Sequence, residues 1–189
     1  MTWRNAGAAA VLLAALGACD RRGDDPAKSS TGSPSQRNPG QGAGGAEEFW
    51  NAWRRAVTQG DGRTLWAMTC ASNRRAIVEK TRTSMGNMPD VEWSMLASMT
   101  GQAEARLRAM PAEMLAEETT VAILNRLRDR PGELEKVEKS DFLGADADGD
   151  RAVIRFRLKD GREMTLALVK EGGEWKADLE ATARSAGKK

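Results

Sequence analysis

The stretch Ala152–Leu179, AVIRFRLKDGREMTLALVKEGGEWKADL, constrains this chain most, because its side chains alternate in type with a period of two through three successive segments. In the first, Ala152, Ile154, Phe156 and Leu158 alternate with Val153, Arg155, Arg157 and Lys159. In the second, Met164, Leu166 and Leu168 oppose Thr165, Ala167 and Val169. In the third, Trp175, Ala177 and Leu179 oppose Lys176 and Asp178. Each segment reads as a strand with one apolar face, and the three form an antiparallel meander.

Parity sets the register, since a slip of one residue would carry every apolar side chain to the wrong face. A two-residue Asp160-Gly161 loop would set Phe156 against Thr165 and mix the faces. A three-residue loop, Lys159-Asp160-Gly161, pairs Phe156 with Met164 and Ile154 with Leu166 and keeps the face whole. A two-residue Glu171-Gly172 loop then pairs Leu168 with Trp175 and Leu166 with Ala177. Three strands with one apolar face need a cover, which the upstream helices must supply.

Those helices are legible from Glu47 onward. Phe49, Trp50, Trp53, Ala56 and Val57 form a helical stripe that Gly60 stops, and Asp61 is placed to cap a second helix through Leu65, Trp66 and Met68. Cys70 falls on the apolar face of that helical stretch, with Asn73 as a break. Helical patterns continue through Arg74–Thr83, through Val91, Trp93, Met95, Leu96 and Met99, and through Gln102–Met110. Pro111 then opens a helix to about Arg128, with Met114, Leu115, Ala122, Ile123 and Leu127 inward and Pro131-Gly132 as its end. A first strand is expected within Glu135–Leu143, ahead of a turn at Asp146–Asp150.

The N-terminus has a different character. Arg4 precedes an apolar run, Ala6–Leu16, followed by small residues, which is the layout of an export signal and too short to span a bilayer. Leu16-Gly17-Ala18-Cys19 resembles the lipobox of bacterial lipoproteins. That resemblance implies a signal peptide over 1–18, diacylglyceryl and acyl (palmitate) modification at Cys19, and a membrane anchor there. Two or more chains give stable attachment. From Asp20 to Ala46 Gly, Pro, Ser and polar residues dominate without hydrophobic periodicity, so 19–46 reads as a lipidated cysteine plus a disordered tether spanning roughly 28 Å. The folded domain is 47–189.

Paired helices written EEFWNAWRRAVTQGDGRTLWAMT, more helix, a strand opening GDRAVIRFRL and a closing GGEWKADL together resemble the NTF2-like superfamily, more narrowly its DUF4878-type lipoprotein members. The resemblance implies an α+β cone with N-terminal helices packed on a curved antiparallel sheet, sometimes around a pocket. Trp53, Trp66, Phe156, Met164, Leu166 and Trp175 are the side chains expected to line it.

Catalytic relatives such as the SnoaL-like and ketosteroid isomerase-like enzymes place an acid or base inside that cone, whereas the inner face here has no carboxylate. Asp61 and Asp141 are the nearest candidates, and each has a structural reading as a cap or turn residue. The chain has no histidine and no tyrosine, which removes the commonest general base and metal ligand. Asp146, Asp148 and Asp150 form D-x-D-G-D but lack the glycine and glutamate positions of a calcium loop, which are Arg151 and Arg157. Net charge is +2 with both signs interspersed, so no basic field for nucleic acid emerges.

The expectation is a non-enzymatic, lipid-anchored protein of the bacterial cell envelope, facing the periplasm or the exterior. It would use no cofactor or metal and would bind an envelope protein partner or small ligand. The alternatives are a periplasmic carrier of a lipid or apolar molecule and an NTF2-like enzyme.

Overall fold

The computed structural model describes residues 45–126 and 131–186. The expected signal peptide, Cys19, most of the tether and Leu127 lie outside them. The architecture is α+β: helices followed by a four-stranded antiparallel open sheet in the order β1-β2-β3-β4. The helices are α1 (Ala46–Gln59), α2 (Gly62–Met68), α3 (Ala71–Met85), α4 (Asp90–Thr100), α5 (Glu104–Arg108), α6 (Ala112–Asn125) and α7 (Pro131–Glu138). The strands are β1 (Asp141–Asp148), β2 (Arg151–Arg157), β3 (Glu163–Glu171) and β4 (Glu174–Ala177), and α8 (Leu179–Ala186) closes the described chain.

The first hairpin of the meander has the register that parity demands: Phe156 pairs with Met164 and Ile154 with Leu166. Leu158 N–H donates to the Arg162 carbonyl at 2.9 Å across the three-residue loop, and Gly161 sits at φ 87°. The second hairpin differs from expectation by two residues, with Leu168 opposite Ala177 and Lys170 opposite Trp175. Gly172 and Gly173 form its loop, with φ of 60° and 88°. A two-residue turn with both central residues at positive φ matches strand twist, and glycine enters that region without strain. Either register keeps the same faces together, so parity alone did not separate them. Trp175 therefore lies beside Lys170, whose Nζ is 4.9 Å from the ring centroid.

Three other expectations are corrected. Pro131-Gly132 opens α7, and the first strand begins at Asp141. Proline at a first helical position costs no hydrogen bond, so the same residue serves as a start as well as a stop. The last strand ends at Ala177, and Leu179 begins a helix: Asn73 Oδ1 accepts from Leu179 N at 2.6 Å and Glu180 N at 3.2 Å, while Asp178 accepts from Ala181 N at 2.9 Å. Helix α8 runs along the edge of β3 beyond the end of β4, where Thr182 Oγ1 accepts from Ala167 N at 3.0 Å. Finally, Met114 is exposed on α6 and faces away from the core.

The inner face of the sheet is the principal core. Ala152, Ile154, Phe156, Leu158, Leu166, Leu168, Trp175, Ala177 and Leu179 are all buried there under Phe49, Trp50, Trp53 and Val57 of α1, with Leu65, Leu124 and Val137 at its margins. Trp50 lies 4.2 Å from the Phe156 ring, centroid to centroid, and stacks on Trp53 at 5.4 Å. A second, smaller core joins α4, α5 and α6 through Trp93, Leu96, Leu107, Met110 and Leu115, with Met85 and Met88 against it. The methionine-rich segment is thus a helical unit with its own interior.

Helices α2 and α6 cross at contact distance because Gly62 has no side chain. A Cβ there would sit 2.8 Å from the Val121 Cα. Backbone cannot yield as a flexible side chain does, so Gly62→Ala is expected to destabilise the fold by about 1–3 kcal/mol. The midpoint of urea unfolding reads this, and an unchanged midpoint would mean the crossing is looser than described.

Candidate functional site

The side chains expected to line a pocket divide into two groups. Trp53, Phe156 and Leu166 are buried in the principal core, Trp175 is buried at its edge, and Met164 packs against it half-buried. They pack together between α1 and the sheet. Trp66 is apart from them. It lies on the outside, at one end of a groove of about 600 Å³ whose walls are α3 and α6.

The position of α3 follows from two anchors. Between α2 and α3 the chain extends for two residues, where Thr69 makes a parallel bridge to Ala177 and Cys70 N donates to the Ala177 carbonyl at 3.0 Å. Cys70 is therefore a fully buried residue of a strand-like break. Glu171, at the end of β3, accepts from Ala71 N with both carboxylate oxygens, at 2.9 and 3.0 Å, and so supplies the cap that Cys70 lacks. Helix α6 is held to α2 and α3 by ion pairs: Arg63 to Glu117 at 3.1 Å and Glu118 at 2.7 Å, and Arg82 to Glu113 at 2.7 Å.

The groove runs along α3 through Ala71, Arg74, Arg75, Val78, Glu79 and Arg82, and is walled on the other side by Glu113, Met114 and Glu117. At 1.5 Å rise per residue the α3 wall is about 16 Å long. Trp66, Ala71, Val78 and Met114 make its apolar surface. The charges are not evenly satisfied. Arg82 engages Glu79 and Glu113, and Glu117 engages Arg63, so the three carboxylates of the groove are already paired. Arg74 and Arg75 have no carboxylate partner among the described residues, and the buried Nε of Arg74 has no hydrogen-bond acceptor. Two arginines without a carboxylate partner leave this end of the groove with uncompensated positive charge, which favours an anion.

Elsewhere the electrostatics are those of a solvated surface. Glu135, at the surface but partly covered, accepts from Lys139 at 2.8 Å and Lys159 at 2.5 Å, and these two cations hold its carboxyl down to about 2. Arg108 holds Glu104 below the usual range, with help from Ser94, and Arg162 does the same for Asp160. Among the described residues no Asp, Glu, Lys or Arg is buried. Asp61 is exposed and caps α2, accepting from Thr64 N at 3.0 Å, and Asp141 is exposed at the start of β1. Asp146 lies 3.4 Å from Arg155, and no cluster of metal-ligating side chains occurs among the described residues. On the outer sheet face Arg157 pairs with Glu163 at 2.8 Å and Lys176 with Glu174 at 3.0 Å, so the basic side chains there are locally neutralised.

No protein-family profile, characterised protein or solved structure matches the chain. Among the described residues no helix is long and apolar enough to cross a membrane.

Proposed function

We propose that this chain is a lipid-anchored protein of the bacterial cell envelope, whose single α+β domain is of the NTF2-like kind and binds a partner or ligand without carrying out chemistry. The observation that carries this reading is the contrast between an interior packed with apolar side chains and an open external groove where Arg74 and Arg75 have no ion-pair partner among the described residues. A carrier of apolar molecules needs enclosed empty space, and Trp50 and Phe156 occupy that position. An NTF2-like enzyme needs an acid or base facing a pocket, and the sheet offers apolar side chains there. The helices-then-meander order, with α1 laid across the inner face of the sheet, supports the NTF2-like assignment.

The anchor rests on the lipobox-like Leu16–Cys19 and is tested separately. Cells producing the wild-type chain are expected to incorporate radioactive palmitate into it, and Cys19→Ser is expected to abolish the label. Equal labelling of the two would refute the anchor.

A further inference from the structure

We infer that the groove between α3 and α6 docks an amphipathic helix of a partner protein, bearing a carboxylate at the end that meets Arg74 and Arg75. The inference rests on the binding role proposed above and gives it a partner class.

Three features select the occupant. Both walls of the groove are helices, whose backbone amides and carbonyls are spent on their own ladders. An extended segment would find no main-chain partners there, whereas a helix satisfies its own backbone and needs only side-chain contact. The groove is open to solvent. A single acyl chain would leave much of its surface in water, while a helix needs to bury only one stripe. At about 16 Å the α3 wall accommodates roughly three turns, enough for apolar anchors at i, i+3 or i+4, and i+7 over Trp66, Val78 and Met114. Met114 is 52% exposed and is the kind of flexible, polarizable side chain that adapts to such anchors.

Charge sets the direction. At one end Glu79, Arg82 and Glu113 satisfy one another, at distances of 2.5 Å from Arg82 to Glu79 and 2.7 Å to Glu113. At the other end Arg74 and Arg75 have no such partners. An acidic residue or a helix C-terminus docked there supplies a negative charge to the Arg74 and Arg75 guanidiniums, which have no ion-pair partner among the described residues, and a basic residue would be repelled.

The test is a selection of random fourteen-residue peptides displayed on phage against the purified full-length chain. The expected result is enrichment of peptides with a helical apolar stripe and Asp or Glu at one end, which become helical on binding by circular dichroism. Arg74→Ala should weaken them about tenfold or more. Arg75→Glu alters an exposed position with no ion pair to lose, so it is expected to fold normally and to shift the selection toward Lys- or Arg-bearing peptides. Peptides that bind both variants as well as the wild type, or that bind extended, would overturn the inference. So would a failure to enrich any helical peptide, or displacement of the bound peptides by laurate at equal strength on wild type and Arg74→Ala. None of these measurements involves Cys19, so a failed palmitate test and a failed selection remain distinguishable.

Discussion

Replacing Phe156 with alanine is expected to lower stability by about 3–5 kcal/mol, the range for deleting a fully buried aromatic ring. Phe156 is 2% exposed, lies at the middle of the sheet's inner face and meets Trp50 at a tilted 4.2 Å contact. Its removal takes away the transfer energy of the ring and the aromatic pairing, worth about 0.5–1.5 kcal/mol. It also leaves a cavity that a rigid Trp50–Trp53 stack cannot collapse into. Against a net stability of about 5–15 kcal/mol for a domain, this is a large fraction, and it corresponds to a melting temperature lower by about 10–15 °C. Phe156→Leu keeps most of the volume and should lose less than half as much. If the alanine variant melted within a few degrees of the wild type, the space between α1 and the sheet would have to be hydrated or open, and the case against an interior ligand would fall.

The second large effect is expected at Asn73. Its side-chain oxygen accepts from Leu179 N and Glu180 N, joining the first turn of α3 to the first turn of α8 across more than a hundred residues of chain. Leu179 is buried, so Asn73→Ala leaves an amide in the interior without an acceptor and removes a cap, a loss of about 1–3 kcal/mol. Asn73→Asp retains an acceptor in the same place, but adds a charge that the adjoining helix N-terminus partly compensates. The expected order in urea unfolding is wild type, then aspartate, then alanine. Hydrogen exchange at Leu179 and Glu180 should accelerate in the alanine variant ahead of the strand amides. An alanine variant as stable as wild type, with unchanged exchange at those two amides, would show that α8 is held by other contacts.

What the sequence made legible follows from which physical rule had a unique answer. The Phe156–Met164 and Ile154–Leu166 pairs could be derived because only an odd loop kept the faces together. For the next hairpin, parity permits both Leu168–Trp175 and Leu168–Ala177, and the preference of Gly172-Gly173 for positive φ at both turn positions decides it. The glycine pair was the available signal for the correct register. Helix α7 is short and opens on Pro131-Gly132, a dipeptide that ends helices as readily as it begins them. Helix α8 starts on Leu179, which also satisfies the strand alternation before it; the feature that turns the chain is the distant Asn73. The apolar side chains are evident in the alternation, but whether they line a pocket or fill a core depends on the separation of α1 from the sheet, which no local pattern encodes. For the same reason the groove was hidden. Its walls come from 71–82 and 113–117, and only the fold reveals that Glu113 and Glu117 are taken by Arg82 and Arg63 while Arg74 is left without a partner.

On the proposed reading ligands are met outside, at the α3–α6 groove, and the inner face of the sheet is core. The six tryptophans offer a direct readout, because Trp66 borders the groove and Trp50 and Trp53 lie under the sheet. With indole N–H resonances assigned by single Trp→Phe substitutions, titration of the full-length chain with a selected acidic peptide should shift the Trp66 signal and leave Trp50 and Trp53 in place. A shift of the Trp50 and Trp53 resonances with Trp66 unmoved would contradict the account and return the binding site to the interior.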